Sequence, residues 1–323
     1  MQILELRDIP PSMLPQLAAL KWLDGDTPQD AAFVREIREL GYPASPYFGL
    51  YATEAGELLG RVETLRVPFR SKKGSQVVAV LSDVATRPDS LGRGIARNLL
   101  NAVHRRERSA GVRWAFLWTR RSWGAHSLYK KLGYQDVFTP PSALKKIELA
   151  AGSKARVRFR WRRANLSDAG LLERLLHVST RHRLGFVPRF RGSFVQKHRV
   201  GWRPIGKHRI LYDGSTPVGY AYVSPTPSSL EAFEVVVSDR EYSVPMIAAL
   251  QEEARNRWLA FGTTTFVRDT ESELLRQGYR IYTTHHLTLM ARPLVSGSRV
   301  DERAGPAATC ADRRYSCHRG DVF

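Results

Sequence analysis

Cysteine is nearly missing from this sequence. The two present, Cys310 and Cys317, fall within the last fourteen of 323 residues, so no disulfide framework holds the body of the chain together. Long apolar runs are missing too. None approaches the ~20 residues that a membrane-spanning helix needs, which excludes an integral helical membrane protein. The opening segment MQILELRDIPPSML lacks the basic start and apolar stretch of a secretory signal, and the expectation is a cytoplasmic location. Acidic residues are outnumbered, 31 against 50 basic ones, and the basic set is ten Lys against forty Arg. The rest is ordinary for a folded chain. With 43% hydrophobic residues wholesale disorder is excluded, and the length suits two domains of about 150 residues each.

The charge excess of +19 is unevenly placed. Between Lys154 and Arg209 stand sixteen basic and two acidic residues. A field of that sign attracts anions, whether cofactor phosphates, nucleic acid or acidic surfaces; the same pattern also fits a solvated basic face.

In the first half, Ile3–Arg7 reads as a strand, and Ser12–Leu23 and Asp30–Leu40 as amphipathic helices. Tyr47–Ala52 and Leu58–Val67 read as a hairpin with Gly56 in its turn. Gln76–Ala85 is a strongly apolar strand. Gly94–Ala110 is a helix with Ile95, Leu99, Leu100 and Val103 on one face. Val112–Thr119 is a strand, and Ala125–Leu132 a short helix stopped by Gly133. Tyr134–Phe138 and Leu144–Leu149 are expected to pair as closing strands. Small and polar, Ala150–Arg156 reads as a linker.

The second half repeats this order. A helix spans Leu166–His182, Arg209–Tyr212 and Val218–Ser224 form a hairpin, and Leu230–Ser238 is a strand. Then come helix Val244–Leu259, strand Thr264–Val267, helix Glu273–Gln277 and a last strand, Thr284–Ala291. LLRQGYRIY (Leu274–Tyr282) echoes LYKKLGYQDV (Leu128–Val137). Domains are expected at 1–150 and 157–293. Residues 294–323 carry no period and read as a disordered tail.

The stretch LSDVATRPDSLGRGIARNLL (Leu81–Leu100) carries the chemistry. A strand runs into a turn with Gly92 and Gly94, and a helix starts at once. The first-turn N–H groups of a helix lack intrahelical partners and sit at its positive dipole end. Glycines let an anion approach the backbone. Together they make a phosphate cradle, to which Arg93 and Arg97 add mobile positive charge. No G-x-x-x-x-G-K-S/T is present, and no G-x-G-x-x-G with an acid after the next strand, so neither a P-loop nor a dinucleotide-binding turn is indicated.

VATRPDSLGRGIARNLL resembles the pyrophosphate-binding motif of the GNAT-type N-acetyltransferase superfamily, Q/R-x-x-G-x-G/A after a strand. Gly94 and Ala96 fill its last two positions, and Leu91 stands where Gln or Arg is usual. AHSLYKKLGYQDV (Ala125–Val137) resembles the family's A-x-x-L-Y-x-K-x-G-F segment, with Tyr134 in place of Phe. The resemblance implies an α/β (α+β) protein of two tandem GNAT folds, each a mixed, mostly antiparallel sheet flanked by helices. It implies acetyl-CoA, or another acyl-CoA, as donor substrate and no metal. Backbone groups of Val84, Ala85 and Thr86 would hold the pantetheine arm, and backbone N–H groups of Leu91, Gly92, Arg93, Gly94, Ile95 and Ala96, with Arg97 beside them, the pyrophosphate. Tyr129 falls on the family's general-acid tyrosine, and a phenol can protonate the leaving thiolate. No base is carried over. Asp83 and Glu63 are candidates, and His126 is a relay candidate.

The matching stretch of the second half, VVVSDREYSVPMIAAL (Val235–Leu250), has no glycine at the turn, and Leu274 stands where Tyr129 does. It reads as a degenerate repeat, in an Eis-like or mycothiol-synthase-like tandem with the active copy first. Acceptor specificity is expected from Lys21–Asp30 with Trp22, Tyr42 and Tyr47; Asp24 and Asp26 would attract a cationic amine. Neither Cys310, Cys317 and His318 nor the His285–His286 pair has metal-site spacing. Two functions remain open. One is an N-acetyltransferase acting on a small-molecule or protein amine. The other is a GNAT-fold nucleic-acid-binding or regulatory protein, with RNA on the basic face Lys154–Arg209, where KARVRFRWRR interleaves Arg with aromatics.

Overall fold

The computed structural model describes residues 1–23, 48–148, 159–181, 183–186, 192–199, 204–261, 265–283, 287–295 and 315–316. The expected helix Asp30–Leu40, the linker Ala150–Arg156, most of the acceptor segment, both histidines of the His285–His286 pair and both cysteines lie outside these residues.

The chain begins with β1 (Gln2–Glu5) and helix α1 (Leu14–Leu23), followed by β2 (Phe48–Glu54), β3 (Glu57–Ser71) and β4 (Gly74–Thr86). Ala55 and Gly56 both have positive φ, +50° and +81°, the geometry a two-residue hairpin turn requires between β2 and β3. Helix α2 (Ile95–Ser109), β5 (Trp114–Arg120), α3 (Gly124–Lys131) and β6 (Gln135–Phe138) come next. On α2 the apolar positions Ile95, Leu99, Leu100 and Val103 are all buried, as their spacing predicts.

The second set is β7 (Pro141–Lys146), β8 (Phe159–Arg163), α4 (Ala169–Thr180), β9 (Leu184–Phe186) and α5 (Ser193–Arg199). It continues with β10 (His208–Asp213), β11 (Thr216–Pro225), β12 (Ser229–Val237), α6 (Ser243–Glu253), β13 (Trp258–Phe261), α7 (Thr265–Arg276) and β14 (Arg280–Thr283). Strands β15 (Leu287–Pro293) and β16 (Tyr315–Ser316) end the described chain.

Two compact units result, Met1–Phe138 with His286–Ala308, and Thr139–His285 with Thr309–Asp321. The first contains the sheet path β1-β2-β3-β4-β5-β15-β6, the second β8-β10-β11-β12-β13-β7-β14. Position for position the two sheets are alike, each with one parallel contact, β4 with β5 and β12 with β13. The repeat is therefore present in the fold. Its strands, however, are exchanged: β15 occupies the slot between β5 and β6, and β7 the slot between β13 and β14.

This corrects the expected pairing of Tyr134–Phe138 with Leu144–Leu149, and the expected division near residue 150. Only Thr139 and Pro140 separate β6 from β7, and Pro141 follows. Proline cannot take the positive φ of a tight hairpin and holds the residue before it extended, so the chain leaves the first sheet instead of folding back. Two other expectations are corrected. The strand placed at Thr264–Val267 lies at Trp258–Phe261, and Thr265–Val267 opens helix α7. Helix α6 stops at Glu253 because the turn behind it carries Asn256 at φ +61°. In the segment taken for a featureless tail, Tyr315–Ser316 pairs parallel with Leu184–Gly185.

In the first unit, α2 and α3 cover one core, with Leu81, Leu99, Leu117, Tyr129, Tyr134 and Met290 in it, and α1 covers another around Leu14, Leu17 and Tyr51.

Candidate active site

Strands β4 and β5 pair only from Ala79–Leu81 to Ala115–Leu117. Beyond Leu81, β4 stays with β3, and β5 stays with β15. The sheet opens there, and among the described residues no strand lies beside the edge of Val84–Thr86 away from β3. Backbone groups on such an edge are hydrogen-bond partners for an extended ligand. The β3–β4 ladder also shifts register between Arg61 and Glu63, opposite Asp83, whose φ is +51°. This bulge twists β4 away from β5 and turns the Asp83 side chain out of the regular alternation.

Past Thr86 the chain makes a single turn, Pro88–Ser90, and enters α2 through Gly92 (φ +80°) and Gly94 (φ +77°). Gly94 is the left-handed cap residue, and no side chain caps the helix. The leading N–H groups of α2 are therefore left for an anion. A Cβ at either glycine would meet nothing within 4 Å, so space stands open above the turn. The donor set fits a pyrophosphate. Arg97 is exposed beside it. Arg93 is less mobile than expected, because it pairs with Glu54, which also meets the N-terminal amine at 3.3 Å. Leu91, at the mouth of the turn, is 66% exposed.

Behind the opening lies a buried ionic network. Arg61, fully buried, donates to Glu63 at 3.2 Å and to Asp83 at 3.1 Å. Tyr51 donates to Glu63 at 3.2 Å, and burial together with that carboxylate pushes the Tyr51 phenol well above its ordinary pKa. The two candidate bases are thus brought together, but they are not equivalent. The Glu63 side chain is 2% exposed and that of Asp83 is 19%, so Asp83 is the more accessible carboxylate of the two. Arg61 and Tyr51 escaped the sequence reading. The available signal was a charged pair at i and i+2, Arg61 and Glu63, on one face of an apolar strand.

Tyr129 is 5% exposed in the first unit's core, and its ring meets that of Tyr134 edge-on at 5.9 Å. Tyr134, itself buried, lies 2.8 Å from His104 Nε2, and His104 Nδ1 lies 2.8 Å from Arg292 on β15. Burial first, then the charges of Arg292 and Arg108, push the His104 pKa down to about 3. His126, the relay candidate, is tied instead to Asp136 at 3.1 Å, with Lys130 and Arg121 on the other carboxylate oxygen and Thr288 donating at 3.1 Å. Its hydrogen bond to His126 and the Lys130 charge hold the Asp136 carboxyl below its usual range against a desolvation penalty.

The corresponding turn of the second unit is built differently: Asp239 accepts from the Glu241 N–H at 3.1 Å and caps the single turn Arg240–Tyr242, which runs directly into α6 with no glycine between. Leu274, where Tyr129 stands in the first unit, is fully buried in an apolar core. Across the basic segment, Arg162 forms a two-pronged pair with Asp168 (2.7 and 2.6 Å). Arg209 pairs with Glu253 (3.0, 2.9 and 2.6 Å) and lies 5.5 Å over Trp161. Among the described residues no metal-ligating cluster occurs, and no helix is long and apolar enough to cross a membrane.

Residues 46–136 match the family model of an acetyltransferase (GNAT) domain. The whole-chain fold is similar to a GCN5-related N-acetyltransferase from Kribbella flavida, at 16% identity and a TM-score of 0.63, covering 91% of this chain and 72% of that one. It is similar to Eis1 from Mycobacterium abscessus at 14% identity and 0.59, covering 91% and 74%. A tandem GNAT protein from the clavulanic acid biosynthesis pathway matches at 12% and 0.55, covering 92% and 100%. At these identities the likeness is one of fold. No curated protein matches the sequence. The chain thus has a tandem GNAT fold with an acetyltransferase domain in its first unit, and acyl transfer from acetyl-CoA is the chemistry of that domain family.

Proposed function

We propose that the first unit transfers an acetyl group from acetyl-CoA to a primary amine by direct attack, and that the second unit does not turn over substrate. The observation that carries this reading is one coincidence. The parallel contact of β4 with β5 opens after Leu81, and the same strand leads straight into a glycine-flanked helix start that no side chain caps. An extended thioester arm and a pyrophosphate need those two features end to end.

In this reading Val84, Ala85 and Thr86 hold the arm through backbone groups, and the N–H groups from Leu91 to Ala96, with Arg97, hold the pyrophosphate. The amine nitrogen bonds to the acyl carbon as the carbon–sulfur bond breaks. Asp83 receives the proton the nitrogen gives up, directly or through water. Arg61, 3.1 Å from Asp83, supplies the countercharge to that carboxylate. Tyr129 gives its proton to the departing sulfur, and a positioned general acid of this kind contributes about 10²–10⁴-fold. Small-molecule and protein amines are both acceptors of this type, and the cytoplasm is the location the reading implies. The rival, RNA on the basic face, is disfavoured by Arg162 and Arg209, whose guanidinium groups are spent on carboxylates.

Calorimetric titration of acetyl-CoA into the parent and into Gly94→Glu tests the donor site. Binding by the parent and none by a folded variant supports it; no binding by the folded parent overturns it. Tyr129→Phe is then expected to lower kcat by about 10²-fold with little change in KM.

A further inference from the structure

A directed chain of hydrogen bonds crosses the first unit's core to the ring that packs against Tyr129. It begins at Arg292, whose Nη1 lies 2.8 Å from His104 Nδ1. It continues from His104 Nε2 to the Tyr134 hydroxyl, also 2.8 Å. Tyr134 then meets Tyr129 twice, ring edge to ring at 5.9 Å and through its backbone N–H, which donates to the Tyr129 carbonyl at 3.0 Å.

The donor inventory fixes the direction. A guanidinium has no acceptor, so His104 Nδ1 must present its lone pair to Arg292. His104 is 2% exposed, and burial with the Arg292 and Arg108 charges keeps it neutral at any ordinary pH. A neutral imidazole with a bare Nδ1 carries its hydrogen on Nε2 and donates it to Tyr134. The Tyr134 hydroxyl proton is thereby turned away from His104. The charged and titratable groups around this line come from four elements: Arg108 on α2, Arg292 on β15, Tyr129 on α3, and Tyr134 just before β6. Burial raises the Tyr134 phenol, Arg292 opposes that rise, and Tyr129 adds to it, so the three groups sense one another.

We propose that Arg292 is a positioning residue for acyl transfer: by fixing the His104 tautomer it sets the hydrogen-bond direction at Tyr134 and so the placement of the Tyr129 phenol. The donor of this control rides on β15, the strand that the far end of the chain lends to the first unit. A residue far along the chain from Tyr129, but in the same compact unit, thus acts on the proton donor. This rests on the reading of Tyr129 as the general acid.

The test uses the full chain with Arg292→Met, which keeps the apolar stem and removes the donor, Arg292→Lys, which keeps a cationic donor, and Tyr129→Phe. The nitrogen–hydrogen correlations of ¹⁵N-labelled histidine report the His104 tautomer, assigned by His104→Gln. Release of free CoA from acetyl-CoA with n-propylamine as acceptor gives kcat, KM and the pH profile. In Arg292→Met, His104 is expected to lose its single Nε2–H tautomer. We expect kcat to fall about tenfold with a shifted alkaline limb and KM for acetyl-CoA unchanged, and Arg292→Lys to restore most of the rate. A folded Arg292→Met variant with parental tautomer, or with an altered tautomer but parental kcat and pH profile, overturns the proposal. If that variant does not fold, Arg292→Lys decides: the retained tautomer with near-parental kcat supports it, and the retained tautomer with a large loss of kcat sinks it. Unchanged kcat in Tyr129→Phe marks failure of the general-acid reading instead, while the tautomer measurement still judges the Arg292–His104 link separately.

Discussion

Arg61 and His104 show how single buried groups in this protein are held by specific partners. Arg61 neutralises two carboxylates in a place where water cannot. Removing one member of such a buried set leaves charge uncompensated, so Arg61→Met is expected to destabilise the protein by about 3–5 kcal/mol, read by chemical denaturation at neutral pH. His104 shows the opposite strategy, burial as a neutral base. Its pKa is pushed from 6.5 to about 3 in the folded protein. Between those values the unfolded chain binds more protons than the folded one, so stability rises with pH through this window and is lost on acidification below 6.5. The slope is about 1.4 kcal/mol per pH unit, and about 5 kcal/mol across the window. Denaturation midpoints of parent and His104→Gln at pH 7, 5 and 4 check this; the variant is expected to lack that share of the acid sensitivity.

The decisive element is the passage from β4 through the glycine turn into α2. Space is open above Gly94, so the cost of a side chain there is conformational, not steric. Gly94→Ala is expected to lose about 1 kcal/mol of stability and keep most donor binding, whereas Gly94→Glu, with similar strain, is expected to lose binding. Paired melting curves and titrations separate the two effects. The turn itself was readable because two glycines directly before an apolar-periodic segment mark a left-handed entry into a helix. The Asp83 bulge was not, because a register shift depends on two strands and leaves no mark in one. Nor was the choice between Asp83 and Glu63, which turns on burial.

For the whole molecule, the strand exchange decides what each unit needs. Met290 on β15 is fully buried in the first unit's core beside Leu81, Leu117 and Tyr134. Met290→Ala should cost about 2–5 kcal/mol. Hydrogen exchange is expected to show faster opening of α2, β5 and β6, with β10–β12 unaffected; equal loosening of both sheets would contradict independent cores. The echo of Leu128–Val137 at Leu274–Tyr282 correctly signalled two like sheets, which the shared strand order bears out.

The sequence by itself determined the periodic elements, the twofold repeat and the glycine turn ahead of α2, because each depends on residues close together in the chain. Tertiary structure alone decided which strand closes which sheet, which of the two carboxylates is the more exposed, and that Arg292 stands beside His104. Those outcomes are set by contacts between segments as far apart as β5 and β15, where two prolines redirect the chain and burial, not spacing, chooses the partner.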